Sequence, residues 1–353
     1  MFSFLIKKRF KKMLIINLID YYIYPVKNQI KKIALLTSGG DAPGMNASIR
    51  SVVRACVFHN IVPVGVYKGY DGLIKGRFEE MNARSVKGII NKGGTILKTA
   101  RSEKFKSKTG RDEAYNSIKK NNIDGLIVIG GDGTFTGGLI FSEENNFPVI
   151  GIPATIDNDI FGTSHTIGFD SATNTVMNAI DKIRDTASSH NRLFFVEVMG
   201  RDAGHIALNT GVAGGAEEIL IPEENLGLDR LIQSLKRSEK TGKSSSIGVV
   251  AEGDKTGENV FHLKEYVEKH LSDYDARVAV LGHMQRGGTP TCFDRVLASR
   301  LGVSAVESMI SKKDGNMVGL QNNKVVLTPL KKAVKGVTKI NKELLKVSDI
   351  MSI

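Results

Sequence analysis

Leu126-Ile127-Val128-Ile129-Gly130-Gly131-Asp132-Gly133-Thr134 is the stretch that decides the fold. Four apolar residues without polar alternation make a short strand buried on both faces, the habit of parallel sheets covered by helices. The glycines that follow end the strand and expose backbone N–H groups, and an acid among three glycines at a strand end is unusual. Working outward, the same grammar repeats from Ile30 onward. Apolar runs at Ile33–Thr37, Ile61–Tyr67, Val149–Ile152, Leu193–Val198, Ile219–Ile221, Ile247–Ala251 and Val278–Leu281 end in Gly or polar residues. Helix-period segments lie between them, notably Met45–His59, Ala172–Ser188, Leu228–Lys240 and Asp294–Met309. Strands alternating with helices predict an α/β protein of two doubly wound α/β domains, with a ligand cleft between them at the carboxyl ends of the strands. No Pro-rich or low-complexity linker divides the chain, so short crossings are expected near Gly168 and Leu281.

Composition narrows the function. The 353 residues suffice for two domains, and 41% hydrophobic with 24% charged residues is an ordinary globular balance. The net charge of +12 hints at polyanionic partners, but its distribution speaks against them. Residues 1–32 hold eight Lys/Arg and one acid, so +7 sits there and the remaining 321 residues carry only +5. No basic run interleaved with aromatics follows, which argues against a nucleic-acid binder. Cys56 and Cys292 lie far apart in apolar helical patterns without metal-ligand spacing, and read as reduced core thiols of a cytoplasmic protein. Residues 1–29 read as a loose appendage or a start-site artefact, since Met13 offers a second start. Met13–Ile19 is too short to span a bilayer, so no membrane association is expected.

Three further constellations carry chemistry. Strand Ile33–Leu36 runs into Thr37-Ser38-Gly39-Gly40-Asp41-Ala42-Pro43-Gly44 before a helix, a second turn suited to phosphate. Neither turn is a P-loop: Gly242-Lys243-Ser244 is half of that motif, but Arg237 occupies its first glycine position. Pro153-Ala154-Thr155-Ile156-Asp157-Asn158-Asp159 sets two carboxylates two residues apart just beyond a buried strand, one able to act as a general base and one to orient metal or water. Arginines recur beside glycines at strand ends: Arg101, Arg192, Arg201 within Met199–Gly204, and Arg286 within Gly282–Gly288, with Arg277 nearby. The guanidinium fork suits a phosphorylated substrate.

Thr37–Gly44, Gly130–Thr134, Thr155–Asp159, Met199–Arg201 and Leu281–Gly288 together resemble the ordered signature blocks of the bacterial ATP-dependent 6-phosphofructokinase family, over about Ile30 to Leu330. The resemblance implies an ATP-binding domain from 30–167 plus 281–331 and a sugar-phosphate domain from 168–280 plus 332–353, in a homotetramer. It implies that Gly40, Arg101, Ser102, Gly131, Asp132, Gly133 and Thr134 hold ATP, with Asp132 on Mg²⁺. It makes Asp157 the base for the 1-hydroxyl of fructose 6-phosphate, beside Thr155, with Asp159 assisting the metal and Arg201 stabilising the transferring phosphoryl. Met199, Gly200 and Glu252 would shape the sugar site. His283 and Arg286 would hold its phosphate, joined by Arg192 and Arg277 of a neighbouring subunit. Arg50, Arg54, Arg184, Glu217 and Lys243 match positions that bind ADP and phosphoenolpyruvate. Ala83 and Ser245 stand where Arg and His are typical, which implies altered or absent allostery. Pyrophosphate-using relatives carry Asp and Lys where this chain has Gly133 and Ala154, so ATP is the implied donor. A pyrophosphate-dependent enzyme and a non-catalytic regulatory subunit are the alternatives. Retention of Asp132, Asp157, Asp159 and Arg201 together speaks against the second.

Overall fold

A computed structural model describes residues 30–188, 192–224, 227–240, 246–271 and 274–351. The N-terminal reading of 1–29 and the effector positions Lys243 and Ser245 lie outside the described residues.

Two sheets form the frame. The first has seven strands: β1 (Lys32–Thr37), β2 (Val62–Val66), β3 (Phe78–Glu80), β4 (Gly125–Gly130), β5 (Val149–Pro153), β10 (Asn316–Gln321) and β11 (Lys324–Pro329), in the order β11-β10-β5-β4-β1-β2-β3. The second has four, β6 (Arg192–Val198), β7 (Glu218–Leu220), β8 (Ser246–Ala251) and β9 (Asp275–Val280), in the order β7-β8-β6-β9. The interior pairings are parallel. The outer strands of the first sheet, β3 and β11, are antiparallel to their neighbours and depart from the all-parallel expectation. β11 follows β10 through the two residues Asn322 and Asn323, which permits only reversal, whereas parallel pairing needs a long crossover; β3 returns to β2 after the short helix Gly69–Ile74.

The alternation within β1 shows why the sheet is buried on both sides. Ile33 and Leu35 pack with Met45 and Ile49 of helix Met45–Phe58 and Leu301 of helix Cys292–Ile310. Ala34 and Leu36 face the other way, onto Tyr70, Phe105, Phe135 and Phe141. Successive side chains of a strand point to opposite faces, so an unbroken apolar run serves two helical layers. The first of these cores continues through Ile152, Ile156, Val196 and Val249, so a single apolar body underlies both sheets. Cys56 is fully buried there, but Cys292 is exposed at the first residue of its helix, which corrects its reading as a core thiol. No helix among the described residues is long and apolar enough to cross a membrane.

β1 lies between β2 and β4, and the chain returns past it to form β4. This reversal of strand order opens a crevice at the carboxyl ends of β1 and β4, where the two glycine turns emerge. Register aligns the ends: Thr37 is opposite Ile129, and Gly130 opposite Pro153. In the second sheet Val198 is opposite Ala251 and Glu197 opposite Val280.

Helices Met45–Phe58 and Cys292–Ile310 cross at Gly302, where an added Cβ would lie 1.8 Å from Ser51 Oγ. That hydroxyl donates to Ser48 O and Ala298 O at 2.8 and 2.9 Å. Gly302→Ala is expected to destabilise the fold by about 1–3 kcal/mol, the usual cost of overpacking. Urea denaturation checks this, and an unchanged midpoint would show that the crossing is not tight.

Candidate active site

A cavity of about 780 Å³ opens at the strand ends of the first sheet. Of the sequence-predicted residues, Gly40, Arg101, Ser102, Gly131, Asp132, Gly133, Thr134, Thr155, Asp157, Asp159, Arg201 and Arg286 all line it. Residues about 245 positions apart therefore meet in one hollow.

One wall is built from the two turns. Gly131 is the extended N-cap of helix Asp132–Asn145, whose first turn faces the cavity through Asp132, Gly133 and Thr134. A helix N-terminus offers unpaired amides and positive dipole to an anion. A Cβ at Gly133 would meet nothing within 4 Å, so the space beside this turn is open. At Gly40 the opposite holds: a Cβ would sit 2.6 Å from Arg286 Nη1, and that guanidinium donates to Asp41 O at 3.2 Å. Gly40 lets Arg286 lie over the turn.

The floor is the loop after β5. Thr166 Oγ1 donates to Thr155 O at 2.6 Å, Thr166 N donates to Asn158 Oδ1 at 2.8 Å, and Asn158 itself is left-handed at φ 54°. These bonds turn the loop and present Asp157, which is 5% exposed and whose Oδ1 has no hydrogen-bond partner among the described residues. Burial pushes its carboxyl above the usual range, while the Arg286 and Arg201 guanidiniums and the Thr155 hydroxyl pull it back. Burial raises Asp159 to about 6, helped by the charges of Asp157 and Asp132. Three carboxylates in one hollow, two of them opposing the charge of the third, fit a hard divalent cation. The described residues form no closed cage of three or more ligating side chains. Mg²⁺ is commonly held by one or two carboxylates, with water and phosphate oxygens completing its shell.

The opposing wall belongs to the second sheet. Arg201 follows β6 with φ 54°, a costly conformation for a residue with a Cβ. Glu252, just after β8, holds it there by accepting Arg201 N at 2.7 Å and Gly200 N at 3.3 Å. Met199 N donates to Gln285 Oε1 at 3.2 Å, tying this turn to the 3₁₀ turn Gly282–Arg286, which carries exposed His283. Met199, Gly200, Glu252 and His283 do not line the cavity, and the first three build the turn that presents Arg201 to it. Arg192 and Arg277 stand apart: both pair with Asp275, at 2.8 and 2.7 Å, along β9.

Among the described residues, the effector candidates Arg50, Arg54, Arg184 and Glu217 do not line the cavity. Arg50 and Arg54 share a helix face, and burial and the Arg54 charge lower the Arg50 pKa. Arg184 donates to Gly214 O and Gly215 O at 2.7 Å, and Glu217 accepts Ile247 N at 2.7 Å. Ala83 and Arg84 are exposed.

Sequence reasoning missed Tyr70, Phe105, Lys106, Arg111 and Ile140 in the lining. Tyr70 stacks on Phe105 with centroids 4.0 Å apart and donates to Thr134 O at 2.5 Å. Arg111 forks onto Glu144 at 2.6 and 2.7 Å and donates Nη1 to Phe105 O and Lys106 O. Tyr70 and Phe105 sit on the short helices Gly69–Ile74 and Glu103–Lys106, where no period can emerge, and Arg111 and Ile140 read as ordinary residues of longer helices.

The phosphofructokinase family profile matches residues 32–309, and the chain belongs to that family. It is 48% identical to an ATP-dependent 6-phosphofructokinase 2 of Bacteroides thetaiotaomicron, over 92% of this chain and 99% of that protein. It is 51% identical to an ATP-dependent 6-phosphofructokinase 1 of Thermus thermophilus, over 92% and 100%. Among solved structures it resembles phosphofructokinase from Saccharomyces cerevisiae, with TM-score 0.83 and 34% identity, over 92% of this chain and 48% of that one. A pyrophosphate-dependent phosphofructokinase from Marinobacter aquaeolei shares the fold, with TM-score 0.81 at 20% identity over 91% of each chain.

Asp159 keeps its proton more tightly folded than unfolded, since its folded pKa of about 6 exceeds the ordinary 3.8. The stability this gives is full below pH 3.8 and lost as pH rises through 6. Asp159→Asn is therefore expected to raise Tm at pH 7.5 by about 2 °C or more, with the gain shrinking toward pH 4.5. Calorimetry at the two pH values tests this; a lower Tm at pH 7.5 would show that the carboxylate is not under repulsion.

Proposed function

We propose that the chain transfers the γ-phosphoryl group of ATP to the 1-hydroxyl of D-fructose 6-phosphate, giving fructose 1,6-bisphosphate and ADP. The observation that carries this reading is Asp157: a buried carboxylate with an unpartnered oxygen, between two guanidiniums, in the hollow where both glycine turns end. Its relatives from Bacteroides thetaiotaomicron and Thermus thermophilus carry the name of this activity over nearly their whole length.

The roles follow from position. Gly40, Arg101, Ser102 and the turn Gly131–Thr134 hold the triphosphate through backbone amides and helix dipole. Asp132, with Asp159 nearby, would hold Mg²⁺, which when bound neutralises phosphate charge. Asp157 accepts the proton of the sugar hydroxyl, and Thr155 fixes the loop beside it. Arg201 faces the charge that develops on the transferring group. Arg286 and His283 hold the sugar phosphate, and Met199, Gly200 and Glu252 set the position of Arg201 and the sugar. Arg192 and Arg277 complete that site for a neighbouring copy in a homotetramer, on the side where Asp275 now pairs them. In this division 30–167 with 281–331 binds the nucleotide and 168–280 with 332–353 the sugar phosphate. Arg50, Arg54, Arg184, Glu217 and Lys243 form an ADP or phosphoenolpyruvate site weakened by Ala83 and Ser245. The enzyme works in the cytoplasm.

Donor choice rests on Gly133, whose open surroundings leave room for a nucleotide. Gly133→Asp is expected to fold with unchanged Tm and to lower kcat/KM for ATP by about 10²-fold, because the new carboxylate repels the nucleotide phosphates. A coupled assay with ATP and with pyrophosphate measures this; equal use of ATP by the variant would contradict it. Asp157→Asn is expected to lower kcat by about 10²–10⁴-fold with a smaller effect on KM. A near-normal kcat would remove Asp157 from the chemistry.

A further inference from the structure

Asp294 touches no reactant, yet it is fully buried and uses both carboxylate oxygens. Oδ1 accepts Gly168 N at 2.9 Å, while Oδ2 accepts Ser171 N at 2.8 Å and Ser171 Oγ at 2.6 Å. It therefore caps the start of helix Phe169–Ser188 from the first turn of helix Cys292–Ile310. The second helix is capped in return. Thr291 Oγ1 accepts Asp294 N at 3.3 Å and donates to Asp170 Oδ2 at 2.5 Å, and Thr291 N donates to Ser171 Oγ at 3.0 Å. Two helix starts from distant parts of the chain thus satisfy one another's unpaired amides.

Three cavity loops end at this junction. The loop carrying Asp157 runs into Gly168. The segment carrying Arg286 runs into Thr291. The turn carrying Gly40 ends at Gly44, which lies against Ile167 and Asp294 with no room for a side chain. Burial pushes the Asp294 carboxyl up to about 6, against the three donors that favour its charged form. A buried carboxylate retained in spite of that tendency serves geometry better than stability.

We infer that Asp294 is a positioning residue for phosphoryl transfer, fixing the Arg286 segment and the Asp157 loop in register over the Gly40 turn. This rests on the reading above, in which Asp157 and Arg286 face the sugar phosphate. An amide at this site keeps the shape but must point its NH₂ at one of the two loop amides, donor against donor.

The test uses the full-length enzyme and varies fructose 6-phosphate at saturating Mg·ATP. Asp294→Asn is expected to lower kcat/KM for the sugar phosphate by about 10²-fold, the effect of small misplacement of reacting groups. Ser171→Ala, which removes the hydroxyl's bonds to Asp294 and from Thr291 N but keeps the carboxylate and its two loop amides, is expected to lower it about threefold to tenfold with a smaller loss of Tm than Asp294→Asn. In an Arg286→Ala background Asp294→Asn should lose most of its effect on KM, because both act on one contact. Amide exchange at Gly168 and Ser171 should quicken at least tenfold in Asp294→Asn. A purely structural role would lower Tm in both variants but leave kcat/KM within twofold, and give additive effects with Arg286→Ala. Any of the last two results in an active wild type overturns the inference alone. An inactive wild type removes the phosphofructokinase reading and this inference together.

Discussion

A carboxylate shut away from water must have its charge opposed, or it takes up a proton. Asp157 is in that position, and much of this structure can be understood as the means of opposing it. Its loop is turned by Asn158 and Thr166. Arg286 reaches it across Gly40, and Arg201 reaches it from the second sheet in a backbone conformation that Glu252 sustains. Neither guanidinium is adjacent in sequence, so the balance exists only when both sheets stand at their observed spacing. The apolar core shared by the two sheets sets that spacing.

The same balance explains why the site is destabilising in isolation and useful in function. The charges of Asp157 and Asp132 both oppose ionisation of Asp159, and a bound cation would relieve it. Arg201 carries backbone strain for the sake of where its side chain lies. Preorganised charge of this kind needs no rearrangement when charge develops during transfer, which is where such sites gain their rate.

Most of this was legible in the amino-acid order because the site is built on strand ends. The runs Ile33–Thr37 and Leu126–Ile129 announced buried strands, and the glycines after them announced where the chain leaves the sheet. Residues that act through what they hold were not legible. Arg111 bonds Glu144 thirty-three residues away, and Gln285 bonds Met199 eighty-six away, so neither shows in a local pattern. The edge strands β3 and β11 escaped as well: β3 has only three residues, and β11 is half-buried along its middle. Arg192 and Arg277 enter as substrate residues of a neighbouring subunit only through the family resemblance, and within one chain both pair with Asp275.

The central claim is that Asp157 works as a base from a protected, charge-balanced setting. The direct measurement is the pH profile of kcat/KM for fructose 6-phosphate at saturating Mg·ATP. The account predicts an acid limb that falls tenfold per pH unit below an apparent pKa above the ordinary aspartate value of 3.8, and that vanishes in Asp157→Asn. An acid limb that persists unchanged in that variant would contradict it.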